Sequence, residues 1–211
     1  MSSYLFFKRI LDLIFAIILL IVISPIILIV PIVIKIESKG PIFFKQERLG
    51  LNGRTFIIYK FRSMVVDAEK NGTGVYSFKG DPRVTKIGSF IRKTSIDELP
   101  QLLNIIKGEM SVIGPRPTLV YHPWPLDEYT EEQKIRFILR PGVTGLAQVN
   151  GRKEVPWPER IEMDVVYVKN VSLGLDFKIF LKTIFKVISM NENYNTNQST
   201  GEISTKEEKR N

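Results

Sequence analysis

Hydrophobic positions along this 211-residue chain follow three different rhythms. The first is continuous: residues 10–34 read ILDLIFAIILLIVISPIILIVPIVI, with Asp12 as the only charge. About 20 apolar residues span a bilayer, so the run predicts membrane contact. It exceeds the ~7–15-residue core of a cleaved signal peptide and no small-x-small site follows it, so it is expected to persist in the mature protein. Ser24-Pro25 interrupts it. Pro25 lacks the amide that would reach the Ile21 carbonyl, which predicts a bend there, and the Ser24 hydroxyl can return to a freed carbonyl. Lys8 and Arg9 precede the run, while Lys35, Lys39, Lys45 and Arg48 follow it. Because positive flanks stay cytoplasmic, a helix that enters, turns at Ser24-Pro25 and leaves on the same side keeps both clusters inside. A kinked helix that crosses is the other reading these residues allow.

The second rhythm is extended. Residues 41–44 and 55–61, around Gly50-Leu51-Asn52-Gly53, predict a β-hairpin with an Asn-Gly turn. Residues 71–80, rich in glycine and polar side chains, predict a mobile loop. The third rhythm is helical. Leu99, Leu102, Leu103 and Ile106 recur at helical spacing up to Gly108, and Ser95 with Glu98 in front of them matches a capping box. Residues 131–139 and 154–169 predict further helices, and residues 143–152 a turn, a short extended segment and a turn. In residues 175–190, Phe177, Phe180, Leu181, Ile184, Phe185 and Ile188 share one face while Lys178, Lys182 and Lys186 stack on another. That pattern suits a basic helix lying in the headgroup plane, or equally one docked on the core. Residues 191–211 are polar and predict a disordered tail. The chain therefore reads as α/β, mainly helical with a small β-hairpin. It divides into a broken membrane helix (1–38), a folded domain (39–190) and a polar tail (191–211).

Composition narrows the chemistry. There is no cysteine and one histidine, His122, which excludes a disulfide scaffold, a zinc finger and a Cys/His nucleophile pair. Catalysis must run on carboxylates, hydroxyls, lysines and arginines. The formal charge of +8 lies in the first half: residues 1–60 hold eight basic against three acidic side chains, residues 61–120 nine against six, and the remainder thirteen of each. An anionic partner is expected on that side. No P-loop, no Gly-x-Gly-x-x-Gly after a strand and no Asp-x-Asp occurs, and no reader motif accompanies the charge, so nucleic acid is not an expected partner. Asp97 and Glu98 are ordinary acids for a helix start, yet the amides exposed there also bind phosphate, and an ionised aspartate so placed can meet a phosphoryl group. Arg116 stands between Pro115 and Pro117, a rigid setting for a bidentate phosphate contact and equally for a salt bridge. Arg83, Lys86, Arg92 and Lys93 read either as a solvated helix face or as a phosphate or headgroup surface.

Taken in order, these motifs resemble one family. Lys8-Arg9 with Asp12, Ser24-Pro25, Lys60-Phe61-Arg62-Ser63-Met64, Asp81-Pro82-Arg83-Val84-Thr85-Lys86, Ser95-Ile96-Asp97-Glu98-Leu99-Pro100-Gln101, Gly114-Pro115-Arg116-Pro117 and Arg140-Pro141-Gly142-Val143-Thr144-Gly145 look like the bacterial sugar transferases, the monotopic phosphoglycosyl transferases, in their small form. The resemblance covers roughly residues 5–190. It implies an undecaprenyl-phosphate sugar phosphotransferase that moves a sugar-1-phosphate from a UDP-sugar to undecaprenyl phosphate, releases UMP and starts a capsule, exopolysaccharide or other surface glycan. Asp97 matches the family nucleophile, which would form a covalent phosphosugar-aspartyl intermediate. Glu98 is its dyad partner, acting as base or positioning the acceptor. Mg²⁺ would offset the diphosphate charge, with Asp97 in contact with it. Lys60, Arg62, Arg92 and Arg116 are then candidates for phosphate contacts, and Gln148, Arg152, Asp164 and Tyr167 for holding the nucleotide sugar. The resemblance further implies a re-entrant helix broken at Ser24 and Pro25, interfacial amphipathic helices, the cytoplasmic face of the bacterial inner membrane, and downstream glycosyltransferases as partners. A non-catalytic, membrane-anchored scaffold of a glycan assembly complex is the competing reading.

Overall fold

The computed structural model describes residues 2–70, 74, 77–78, 80–151 and 155–188. Arg152, the polar tail and much of the expected loop at 71–80 lie outside the described residues.

The apolar run forms two helices, α1 (Ser2–Val22) and α2 (Ser24–Glu37), bent by 63°. Pro25 sits in the first turn of α2, where its missing amide costs no intrahelical bond. The Ser24 hydroxyl donates to the Ile21 carbonyl at 2.8 Å, satisfying the acceptor that Pro25 leaves open. No single helix among the described residues is long and apolar enough to cross a membrane; only the bent pair together has that length and composition.

All three charges of α1 turn inward. Lys8 pairs with Asp176 at 2.7 Å, and Arg9 donates to the carbonyls of Ile105 and Ile106 at 2.8 and 3.3 Å. The Asp12 carboxylate accepts from the Ser111 hydroxyl at 2.7 Å and the Val112 amide at 3.1 Å. Lys8 and Arg9 therefore fasten α1 to the domain. Apolar stripes do the same. Ala16 packs with Ile58, Leu102, Ile105 and Met110, and Val30 and Ile34 pack with Phe61 and Ile91, so residues 1–38 share their core with the rest of the chain.

The hairpin is β1 (Phe43–Leu49) against β2 (Thr55–Phe61), antiparallel with Phe43 opposite Phe61 and Leu49 opposite Thr55. Asn52 and Gly53 turn it at φ 55° and 72°, the left-handed region that Asn and Gly tolerate best. The outer edge of β2 is closed by one side chain. Asn104 of α4 (Gln101–Lys107) accepts from the Tyr59 amide at 3.1 Å and donates to the Ile57 carbonyl at 2.7 Å, standing in for a third strand.

A second, two-stranded parallel sheet pairs β3 (Ser111–Ile113) with β4 (Gly142–Thr144). Between them in sequence lies the short helix α5 (Glu131–Lys134), and after β4 come α6 (Leu146–Asn150), α7 (Trp157–Lys169) and α8 (Leu173–Ile188). Two expectations are corrected here. Within residues 143–152, expected as a turn, a short extended segment and a turn, residues 146–150 are helical, and the helix expected from 154 starts at Trp157 behind Pro156. α8 runs beside α1, with Phe15 edge-on to Phe180 at 5.7 Å.

Candidate active site

α3 (Lys86–Lys93) is capped twice at its start: the Thr85 hydroxyl accepts from the Gly88 amide, and the Glu37 carboxylate accepts from the amides of Lys86 and Ile87 at 2.7 and 3.0 Å. The end of α2 thus fixes the helix that carries Arg92 and Lys93. Ser95 then reverses the chain in a left-handed conformation, φ 58°, and Ile96–Glu98 form a separate short 3-10 helix. The expected capping box is not made. Ser95 makes no side-chain cap, and α4 begins at Gln101 behind Pro100. Asp97 and Glu98 therefore belong to the turn between two helices.

That turn borders a cavity of about 580 Å³. Its polar wall carries Lys60, Arg92, Lys93, Asp97, Glu98 and Arg116; its apolar wall is built from Phe15 and Leu19 of α1, Leu102, Val112, Val143 and Val187 of α8. Lys60, from the end of β2, pairs with Glu98 at 2.6 Å and holds that carboxylate in place beside Asp97. Arg116 is presented by a loop packed directly against β4. The Gly114 amide donates to the Thr144 carbonyl and the Gly142 amide to the Pro115 carbonyl, each at 2.9 Å. A Cβ on Gly142 would lie 2.1 Å from the Gly114 nitrogen, so this approach requires glycine.

More positive charge stands behind Arg116. Arg48 donates to the Pro117 carbonyl at 3.2 Å and contacts the Gln46 side chain. Burial, with Arg116 adding like-charge repulsion, pushes its guanidinium down to about 10, which still leaves it charged at neutral pH. Arg136 donates to the Arg116 carbonyl at 2.7 Å and pairs with Asp164 at 2.5 Å, both side chains being almost fully buried.

Of the residues singled out from sequence, Asp97, Glu98, Lys60, Arg92, Arg116 and Gln148 meet around this cavity. Three do not. Arg62 is buried and donates to the carbonyls of Lys39 and Ser38 at 2.6 and 2.7 Å, closing the end of α2 instead of reaching into the cavity. Asp164 serves Arg136. Tyr167 is buried, donating to Asp176 at 2.8 Å and to the Ile113 carbonyl at 3.2 Å. Arg83 likewise leaves the basic surface, since it is buried against Asp81 at 2.7 Å. The sequence missed Arg48 and Arg136, whose roles depend on backbone carbonyls, and the apolar wall, which α1 and α8 form only when brought side by side.

Asp97 and Glu98 are adjacent carboxylates on the polar wall. Among the described residues no group of three or more acidic or histidine side chains converges to cage a metal. Mg²⁺ is ordinarily held by one or two carboxylates together with substrate phosphates and water, so this donor set fits that ion.

A carboxylate pair among fixed cations, next to an apolar wall, points to phosphoryl chemistry on an amphiphilic substrate, and comparison with known proteins decides the family. The family model for bacterial sugar transferases matches residues 3–190. The chain belongs to the bacterial sugar transferase family. This bacterial sugar transferase is 45% identical over 195 residues to the uncharacterized sugar transferase EpsL of Bacillus subtilis (strain 168), covering 92% of this chain and 94% of EpsL. It is 44% identical over 185 residues to the UDP-glucose:undecaprenyl-phosphate glucose-1-phosphate transferase of Klebsiella pneumoniae, covering 85% of this chain and 40% of that one. To the UDP-N-acetylgalactosamine-undecaprenyl-phosphate N-acetylgalactosaminephosphotransferase of Aeromonas hydrophila it is 42% identical over 189 residues, 88% of this chain and 44% of that one. The chain thus spans nearly all of EpsL and about two fifths of the other two relatives.

Proposed function

We propose that this chain transfers a sugar-1-phosphate from a UDP-sugar to undecaprenyl phosphate at the cytoplasmic face of a bacterial inner membrane, starting a surface glycan. The observation that carries the reading is the cavity itself, lined both by a carboxylate pair among cations and by apolar side chains of the bent helix and α8. A diphosphate suits the charged lining and a polyprenyl chain the apolar lining. The substrate classes follow the names of the relatives from Klebsiella pneumoniae and Aeromonas hydrophila.

In the proposed reaction an Asp97 carboxylate oxygen attacks the β-phosphorus of the donor. An Asp97–phosphorus bond forms, the bond from the β-phosphorus to the bridging oxygen breaks, and UMP leaves with the electron pair. An oxygen of undecaprenyl phosphate then attacks the phosphosugar-aspartyl group, and Asp97 is released unchanged. Lys60, Arg92 and Arg116 hold the phosphoryl oxygens, where fixed charge stabilises the transition state without reorganising. Glu98 acts as a positioning group. A phosphate monoester is largely ionised at pH 7, its second pKa being about 6, so the acceptor needs little help from a base, and the Lys60 pair fixes where Glu98 points. Mg²⁺ bound at Asp97 would offset the charge of the diphosphate.

The test is UMP release from a panel of UDP-sugars with undecaprenyl phosphate and Mg²⁺. Release with one sugar is expected, falling about 10⁴-fold or more in Asp97→Asn while the protein stays folded. Equal activity in that variant would remove Asp97 from the chemistry, and silence of the native protein across the panel would remove the reading.

A further inference from the structure

Buried amide side chains ordinarily find partners, because an unpaired donor or acceptor loses its hydration without return. Asn104 obeys this rule. It contacts the Tyr59 amide, the Ile57 carbonyl and the Glu109 carboxylate. Gln148 breaks it. It is only 6% exposed, borders the cavity, and neither its Oε1 nor its Nε2 has a hydrogen-bond partner. Gly145 packs against the Gly114 carbonyl, and a Cβ there would lie 2.8 Å from Gln148 Oε1, which places the carboxamide beside the loop that presents Arg116. Among the described residues one other unpartnered polar atom belongs to a residue bordering the same cavity, Nη1 of Arg92.

The two groups suit different parts of a ligand. A guanidinium nitrogen waits for an anion. A carboxamide does not, since its oxygen would face phosphate oxygens and only its nitrogen could serve them. Using both of its atoms takes a neutral group that offers a donor and an acceptor close together. A polyprenyl chain has neither. We infer that the Gln148 carboxamide is kept unpaired for the neutral part of the sugar-nucleotide donor, exchanging one hydrogen bond each way with the uracil edge or with neighbouring sugar hydroxyls. This rests on the reading of the cavity as a UDP-sugar site. The unpaired amide destabilises the empty protein, and donor binding removes that cost.

The test uses the full chain in lipid nanodiscs, with Gln148→Met and Gln148→Leu, which keep the volume and remove the polar atoms. Both variants should melt at the same temperature as the native protein or higher, because a buried unpaired amide has been replaced by an apolar group. The KM for the accepted UDP-sugar should rise about tenfold to a hundredfold, corresponding to one or two lost hydrogen bonds, while the KM for undecaprenyl phosphate holds. UMP inhibition separates the two sources of the ligand group. UMP inhibition weakened in step with the donor KM means the carboxamide reads the base; UMP inhibition unchanged means it reads the sugar. Lower melting temperatures in both variants with an unchanged donor KM would make Gln148 a packing residue and overturn the inference, as would a rise confined to undecaprenyl phosphate. A native protein inert to every UDP-sugar removes the proposed function and this inference together, whereas an active native protein matched by both variants removes this inference alone.

Discussion

The Asp164–Arg136 pair shows how a charged residue can matter to a site without touching it. Both side chains are about 1% exposed, and the same Arg136 nitrogen, Nη2, that meets Asp164 also donates to the Arg116 carbonyl. Removing one partner of such a pair leaves an uncompensated buried charge, which costs about 3–5 kcal/mol. Asp164→Asn should therefore lower the melting temperature sharply. A variant of native stability with a strongly raised donor KM would return Asp164 to the substrate wall. Asp81 adds a pH dependence. Hydrogen bonding from Arg83 holds its carboxyl below the usual carboxylate range. Its contribution is complete above the unfolded value near 4 and is lost as pH falls through the lower folded value, because the unfolded chain then binds the extra proton. Acid unfolding below about pH 4 should become less steep in Asp81→Asn, followed by circular dichroism across that range. An identical acid limb in the two proteins would show that Asp81 titrates alike in both states. Asp164, Tyr167 and Arg62 lay in or near legible motifs and carried suitable chemistry, yet all three are buried. A sequence names a side chain's chemistry but not the carbonyls it will meet, and Ser38 and Lys39 become partners of Arg62 only once α2 docks on β2.

At the scale of the element, local rules succeeded where no tertiary contact competed. The Asn-Gly turn, the Ser24-Pro25 bend and the Gly108 stop all stand as their residues dictate. The capping box at Ser95 and Glu98 failed because Pro100 starts the next helix two residues later and Ser95 is turned left-handed to bring Asp97 to the cavity. A true capping box sits at Thr130 and Gln133, ahead of α5, where nothing opposes it. Ser24 and Pro25 yield the prediction proper to this scale. Replacing both by Ala restores an amide for the Ile21 carbonyl and removes the ring that prevents a straight helix. The chain has no cysteine, so one introduced in place of Ser3 reports without background. In cells it should be shielded from an external impermeant thiol reagent in the parent and become labelled in the double variant. Labelling in the parent would mean that the bent pair crosses.

For the whole molecule, the proposed function raises the question of how a site that would take a nucleotide sugar from water and a phosphate from a bilayer is held at the right depth. α8 contributes to both sides of that problem. Val187 lines the cavity, while Phe185 and Ile188 on the same helix are 72% and 71% exposed among the described residues. α1 and α2 leave Ile21, Val22, Leu28 and Ile36 similarly open. Burying a large apolar side chain contributes about 1.5–3 kcal/mol, and cations near an anionic leaflet about 1 kcal/mol each, so seating the apolar face of α8 in the headgroup layer is favoured by terms comparable to a domain's net stability. If that seating sets the height of the cavity mouth, Phe185→Glu with Ile188→Glu should leave the fold and the KM for the UDP-sugar intact. The bent helix would still retain the protein on the membrane. The apparent KM for undecaprenyl phosphate in vesicles should rise by about tenfold, the effect of some 1.4 kcal/mol in alignment with the lipid. Detergent micelles, which adapt their shape to the protein, should restore most of the loss. Equal use of the lipid by both proteins in vesicles would show that the bent helix alone sets the depth, and that the open face of α8 meets something other than the bilayer.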